Sequence, residues 1–351
     1  MSLIELLDAL CPPLGPPGRE DDIRAVVRAI VEPLAHRVEV DRLGNLRVWW
    51  GDPQARPLVM LDAHLDEVAL IVQHIDEQGF IRVAPLGGLD RRLLPGSKVI
   101  LQPAPGQSLG AVCGLLPPHV SGGKGEEKSQ PWEQIFLDAG LGSAAEAAQA
   151  GLEIGTCGVL DLGHGPLGRG YYHARNLDNR AGCAVLVWLL RRLAAEQREL
   201  GFGLVMNFSV AEEVGLRGAI TAAFDLAPDL ALAVESTVGE TPGVEAARTP
   251  TRLGQGPAIT VADGRIVVPR AVVDSLEAAG REAGIACQRK RPPFGGTNAG
   301  AIHLSRGGVL TGVVSVPTRY IHSPASVLKL SDLEQLGELV WAWLGRAGEL
   351  L

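Results

Sequence analysis

A chain of 351 residues, 46% apolar and 21% charged, can bury a sizeable core, either as one large domain with an insertion or as two domains. Aromatics make up only 4%, which leaves Leu, Val and Ala to fill that core. A formal net charge of -8 and an isoelectric point near 5.6 argue against nucleic acid or an acidic membrane as partner, since both need a basic face.

The first segment, MSLIELLDALCPPLGPPGRE, sets apolar residues at helical spacing and is then cut by Pro12 and Pro13, so a short helix is expected. It lacks the basic start and long apolar core of a secretory signal, and a cytoplasmic location is the expectation. Helical periodicity returns over Asp21 to Ala35. Val38 to Val40 and Asn45 to Trp50 alternate like strands around a turn, and Pro57 to Leu61 is a short apolar run. From about Glu67 to Gly168 glycine and proline punctuate brief β-like runs: Ala69 to His74, Phe80 to Pro85, Lys98 to Leu101, Ala111 to Leu115 and Ile135 to Ala139. Such texture predicts a small barrel or sandwich. Within it, the polar, glycine-rich stretch from His119 to Pro131 reads as a loop.

Beyond Asn179 helices and strands alternate. Helices are expected over Asn179 to Gln197, Leu216 to Ala223, Pro269 to Ala283 and Ser331 to Leu344. Strands are expected over Gly203 to Val210, Asp229 to Val234, Ile259 to Val261 and within Gly307 to Val316. The most apolar stretch, Ala181 to Leu190, is half the length needed to span a bilayer and predicts a buried helix. The simplest account is an α/β domain with its sheet covered on both faces, built from residues 1–66 and 169–351, with a β domain of residues 67–168 inserted. Five scattered cysteines (Cys11, Cys113, Cys157, Cys183 and Cys287) form no CxxC and are expected to be reduced, inert thiols.

Five segments set a His, Asp or Glu beyond the carboxyl end of a predicted strand or at a helix start. PLVMLDAHLDE carries His64, Asp66 and Glu67, and ARNLDNRAG carries Asp178. LVMNFSVAEEVG carries Glu212 and Glu213, LALAVESTVGETPG carries Glu235, and VVSVPTRYIHSP carries His322. Taken singly, His64 reads equally as a core histidine, Asp178 as an N-cap and the Glu pair as a solvated loop. Together they fall in one crevice, since open α/β sheets place function outside the carboxyl ends of their strands. Imidazole and carboxylate without thiolate suit two divalent ions, Zn, Co or Mn, and a carboxylate can bridge ions roughly 3.5–4 Å apart. Asp66 could accept the second ring N–H of His64. One of the adjacent glutamates could bind metal while the other stays free as general base, acting on a water whose pKa a metal lowers to about 7.

AHLDE, NLDNR, AEE, GGTNAGAI and PTRYIHSP, in this order, resemble the signature segments of the tetrahedral aminopeptidases, the family of glutamyl aminopeptidases and endoglucanase-M-like proteins. The likeness runs nearly end to end, and in the inserted region it includes GAVCGLLPPHV and IFLDAGLGSAAEAAQAGLEIGT. It implies a mixed sheet sandwiched by helices, of zinc-exopeptidase type, with an inserted β-barrel-like domain. It further implies His64 and Glu235 on one metal, Glu213 and His322 on the other, Asp178 bridging, Glu212 as general base and Asp66 orienting His64. Two positions depart from the family pattern: Glu235, where many members have Asp, and Ala69, where Gly is common. The GGTNAG segment, with Gly296, Thr297 and Asn298, is expected to shape the substrate pocket. Arg175 could touch substrate or form a surface ion pair. The other histidines, His36, His74, His119, His164, His173 and His303, fit no ligand pattern.

The expected activity is stepwise release of N-terminal residues from short peptides. By resemblance it is housed in a tetrahedral homododecamer built from dimers, with the inserted domain contributing to dimer contacts. A related deacylase or carboxypeptidase is the alternative, separated by whether a free amine is required. A glycosidase needs carboxyls about 5–9.5 Å apart across one bond and would leave both histidines idle. An inactive peptide-binding scaffold would be expected to lack a ligand or the base, and here every position is filled.

Overall fold

A computed structural model describes residues 1–115, 130–291 and 295–351. The expected loop at His119 to Pro131 lies outside the described residues except for Gln130 and Pro131, and His119 with it.

Helices α1 (Leu3–Leu10) and α2 (Asp21–Val31) precede strands β1 (Arg37–Val40), β2 (Leu46–Trp50) and β3 (Leu58–His64). Ser2 and Glu5 cap the start of α1 reciprocally. Then come β4 (Ala69–Ile75), β5 (Ile81–Leu86), β6 (Lys98–Gln102), β7 (Leu109–Cys113), β8 (Phe136–Asp138), the short α3 (Ala144–Gln149) and β9 (Cys157–Leu160). Two small strands, β10 (Gly165–Leu167) and β11 (Tyr171–Ala174), lead into α4 (Leu177–Glu196) and β12 (Gly203–Ser209). The remainder alternates: α5 (Arg217–Leu226), β13 (Leu230–Val238), β14 (Ala258–Thr260), α6 (Arg270–Glu282), β15 (Gln288–Lys290), α7 (Ala299–Ile302), β16 (Leu310–Arg319), β17 (Ser326–Lys329) and α8 (Leu330–Leu344).

An 11-stranded mixed sheet runs β1-β2-β12-β3-β13-β16-β17-β11-β10, with β14 paired to β16 and β15 to β14. Its centre, β12-β3-β13-β16, is parallel. Strand alternation builds two cores from one sequence. Val59 and Leu61 of β3 face the side covered by α1, α2, α4, α6 and α8, while Leu58 and Met60 face α5 and α7. Parallel strands covered on both faces are buried throughout, and β12 and β3 are buried at every position, apolar except for Asp62, His64, Asn207 and Ser209 toward their carboxyl ends. The helix α4 is buried on nearly all sides from Leu177 to Leu190, as its lack of a polar face predicts.

The inserted strands β4-β5-β8-β7-β6-β9 close into an antiparallel barrel around Leu70, Val83, Val99, Leu101, Leu137 and their neighbours. Closure removes the edges that short strands would otherwise expose. The mixed sheet and the barrel are the architecture the sequence predicts. The sequence gives no sign of α3, β9, β10, β11, β15, α7 or β17, all six residues or shorter and too brief for periodicity to register. All five cysteines are unpaired, and four are buried. Among the described residues no helix is long and apolar enough to cross a membrane.

Candidate active site

The stripe of β3 that faces α7 turns polar toward the strand's end. Asp62 is fully buried and accepts from Asn207 Nδ2 at 2.6 Å, Asn298 Nδ2 at 2.7 Å and Ser209 Oγ at 3.1 Å. Burial pushes its carboxyl up to about 6 against those three bonds. Two residues on, the strand ends in His64. Around it converge Asp178 from the start of α4, Glu212 and Glu213 from the turn after β12, Glu235 from within β13 and His322 from the turn after β16. All six line one cavity of about 190 Å³, together with Ser236, Lys290, Gly296 and Thr297 among others.

Asp178 stands between two groups. Its Oδ1 lies 3.2 Å from His64 Nε2, and its Oδ2 lies 3.6 Å from His322 Nε2. Glu235 Oε2 completes the first group at 3.8 Å from His64 Nε2, and Glu213 Oε1 the second at 3.2 Å from His322 Nε2. In each triad the potential ligand atoms lie within 4.8 Å of one another, close enough to hold a metal ion. A third combination, His64 with Glu212 and Glu213, meets the same limit.

Two further observations fit a cation. Glu213 Oε1 and Glu235 Oε1 are buried with no hydrogen-bond partner, a costly state for a carboxylate unless something positive faces it. The close approach of Glu213 to His322 is off the hydrogen-bond direction, as expected for two groups aimed at a common third atom. The donors are imidazole and carboxylate only, which suits Zn, Co or Mn.

Supporting contacts fix these side chains. His64 Nδ1 lies 3.1 Å from the carbonyl of Asp66 and 3.4 Å from its carboxylate. Asn179, joined to Asp178 by a cis peptide, donates to Glu235 Oε2 at 2.7 Å. Ala211 and His322 hold left-handed backbone at φ 51° and 61°, an uncommon conformation for non-glycine residues and one that clusters at functional sites. From the barrel side, Gly88 passes so close that a Cβ would meet His322 Nδ1 at 2.9 Å.

The crowded carboxylates shift one another. Burial, reinforced by Glu213 and Asp66 and opposed by His64, raises Glu212 to about 8. Burial likewise raises Glu213 and Glu235. Burial opposes charge on His322, but Asp178 and Glu213 outweigh it and raise the imidazole to about 11. Asp178 is lowered because His322 and His64 overcome its burial.

Residues 44–339 match the family model described as M42 glutamyl aminopeptidase. The chain belongs to the M42 family. Membership makes it a metal-dependent aminopeptidase, a hydrolase of peptide bonds. The glutamyl aminopeptidase of Lactococcus lactis is 33% identical over 340 residues, 95% of this chain and 94% of that one. The lysyl aminopeptidase of Pyrococcus furiosus is 31% identical over 345 residues, 97% and 96% of the two chains. Among solved structures, the TET1 peptidase of Pyrococcus horikoshii, described as able to assemble into a tetrahedron or a large octahedral shell, superposes with a TM-score of 0.87. It is 31% identical, over 97% of this chain and 98% of that one.

In this M42 peptidase Gly296 and Thr297 line the cavity, whereas Asn298 does not. Asn298 is fully buried beneath the site and donates to Asp62 and Ser209, so its place is in the support, not the pocket. Arg175 lies outside that cavity and is not a surface ion pair. It is buried against Glu67 at 2.7 Å, and Glu67 also accepts from Gly15 N–H, Asn176 and Arg180. An arginine three residues before a cavity residue gives no sign of which way it points; the buried partner decides it. Of the histidines set aside, His36 stacks on Trp50 and His303 Nδ1 lies 2.8 Å from the Ala299 carbonyl. Lys290, Asn179 and Gly88 went unnoticed in the sequence: Lys290 sits in a QRKR run that resembles a solvated basic stretch.

Proposed function

We propose that this M42 peptidase releases N-terminal residues from short peptides at a pair of divalent ions. His64 and Glu235 would hold one, Glu213 and His322 the other, and Asp178 would bridge them. The observation that carries this reading is the division of the Asp178 carboxylate, one oxygen toward each triad. Two ions held there would polarise the scissile carbonyl and acidify a water. Zinc, cobalt and manganese all match the donor set.

Glu212 is the general base in this reading. Unlike Glu213 it makes no ion pair with His322, so its carboxylate is left free to take and return a proton. It would take the water's proton and deliver it to the leaving amine. Asp66 positions the turn that carries Glu212 and the ring of His64. The cavity is small against the roughly 300–1,000 Å³ of sites for drug-sized ligands, which suits one end residue of a chain.

By likeness to the Pyrococcus horikoshii peptidase we further propose a homo-oligomer, a tetrahedral dodecamer assembled from dimers, with residues 67–168 as the inserted assembly domain and residues 1–66 and 169–351 as the catalytic unit. A cytoplasmic location goes with that proposal. The test is hydrolysis of paired free-amine and N-acetylated aminoacyl substrates after chelation and after return of Zn, Co or Mn. Turnover of free amines alone, restored by metal and lost in Glu212→Gln, is the expected result. Turnover of blocked substrates would instead assign a deacylase, and release from the carboxyl end a carboxypeptidase.

A further inference from the structure

Glu67 lies three residues beyond His64, outside the cavity, and is buried. Its Oε2 accepts from Arg175 Nε at 2.7 Å. Its Oε1 accepts from Gly15 N–H at 3.1 Å and from Arg175 Nη2, Asn176 Nδ2 and Arg180 Nη2, each at 3.3 Å. The three side chains it holds flank Asp178: Arg175 and Asn176 precede it and Arg180 follows. Both arginines also donate to the N-terminal segment, Arg175 to the carbonyls of Pro12 and Pro13 and Arg180 to that of Leu10. Arg175 Nη1 further reaches Asp161, the residue after β9, at 3.4 Å. The cluster therefore lies where the chain leaves the sheet for the barrel and where it leaves the last barrel strand.

Asp178 needs support of this kind. It and Asn179 depart from helical backbone within α4, at φ −88°, ψ 102° and φ −124°, ψ 41°, so the place of the carboxylate depends on what holds the residues around it. One set of ties runs to β13: Ser236 Oγ donates to the Leu177 carbonyl at 2.8 Å, and Asn179 Nδ2 donates to the Val234 carbonyl at 2.9 Å. The other set ends on Glu67. Replacing buried ion pairs by apolar packing is often neutral or stabilising, so stability alone does not account for sinking two guanidinium groups here. Geometry does, since a misplacement of about 1 Å in a reacting arrangement can cost about 100-fold in rate.

We propose that Glu67 is a positioning residue: by holding Arg175, Asn176 and Arg180 it sets where the Asp178 carboxylate stands between His64 and His322, and so whether both ions are held. The proposal rests on the two-ion reading. Charge-assisted hydrogen bonds to a single carboxylate tie the segment on both sides of Asp178 to the end of the strand that carries His64. Glu67→Asp keeps the charge but draws the carboxylate back by one methylene, about 1.5 Å, so it cannot serve both sides at once.

The test measures bound metal by elemental analysis after gel filtration, together with kcat and KM on the aminoacyl p-nitroanilide that the wild type turns over best. In full-length Glu67→Asp, bound metal should fall from two ions per chain toward one and kcat by about 10–100-fold, with KM little changed. Where Glu67→Asp does not fold, Asn176→Ala removes one donor without altering charge; it should lower kcat about 10-fold and release metal to a chelator sooner than the wild type does. Leu344→Ala, a core truncation at the end of α8, controls for lowered stability and should lose Tm while keeping both ions and wild-type kcat. Wild-type metal content and kcat in Glu67→Asp would overturn the proposal. So would a raised KM at unchanged kcat, which would give Glu67 a part in substrate binding, or equal losses in Leu344→Ala, which would make the effect one of stability. If the wild type holds fewer than two ions with every metal, the two-ion reading fails separately. Metal-free crystal structures then still decide Glu67: an Asp178 carboxylate displaced by about 1 Å or more in Glu67→Asp supports the proposal, and one left in place overturns it.

Discussion

One carboxylate oxygen of Asp66 accepts the backbone N–H of Glu212 at 2.9 Å, and its other oxygen accepts that of Glu213 at 3.0 Å. A fully buried side chain two residues beyond β3 thus fixes the turn after β12 on which both glutamates ride. Asp66→Asn keeps one acceptor but turns an NH2 toward the other N–H. The expected outcome is a local cost of about 1–3 kcal/mol and a loss of about 10–100-fold in metal affinity or turnover. Metal content by elemental analysis and kcat/KM check it; a variant equal to wild type in both would show that the turn holds itself.

This contact also marks where the sequence stops being legible. The ligand types, their strand-end placement and the barrel could be read because each is a local signal: a strand's period, a turn, a His or carboxylate beside it. That Asp66 sits beside His64 could be read too. That its oxygens hold backbone 146 residues away could not, because the partner is a peptide N–H with no side-chain signature. Arg175 and Asn298 were misplaced for the same reason, since exposure depends on tertiary partners that spacing does not encode. Lys290 is the converse case, a charge in a basic run that the strand's alternation turns inward.

Asp178→Asn should separate the two halves of the centre. The carboxylate reaches His64 with one oxygen and His322 with the other, and an amide leaves an acceptor on one side only. On the two-ion reading, bound metal should fall from two ions per chain to one or fewer, and kcat by about 100-fold or more. Elemental analysis after gel filtration gives the count; full occupancy in the variant would remove Asp178 from the bridging role.

Chelation should make stability fall with rising pH. Glu212 is raised by burial to about 8 in the fold, above its ordinary value of 4.5, so its contribution is present at low pH and is lost as pH climbs through about 8. His322, raised by Asp178 and Glu213 to about 11, is protonated in the fold and loses its contribution in the same direction, as pH rises toward that value. Calorimetric Tm of chelated protein should therefore drop between pH 6 and pH 9. Returning metal should raise Tm by linkage and flatten that slope. A chelated protein whose Tm is flat across this range would mean the cluster relaxes or takes in water.

Glu20, which is not itself a proposed ligand, offers a second pH test. It is 2% exposed, and one of its oxygens accepts from Gly18 N–H at 2.8 Å and from Ala211 N–H at 3.0 Å, at the root of the Glu212 turn. Burial, helped by the nearby Asp66, pushes its carboxyl up to about 7 from 4.5. The fold holds that proton more tightly than the unfolded chain does, so stability is full below about pH 4.5 and is lost as pH rises through 7. The loss amounts to no more than about 3 kcal/mol. Glu20→Gln keeps the accepting oxygen and removes the charge. Its Tm should match wild type near pH 4.5 and exceed it at pH 8, with the gap opening between those values. Parallel Tm curves for the two proteins from pH 4.5 to pH 8 would mean that Glu20 ionises in place without cost, which its burial beside Asp66 argues against.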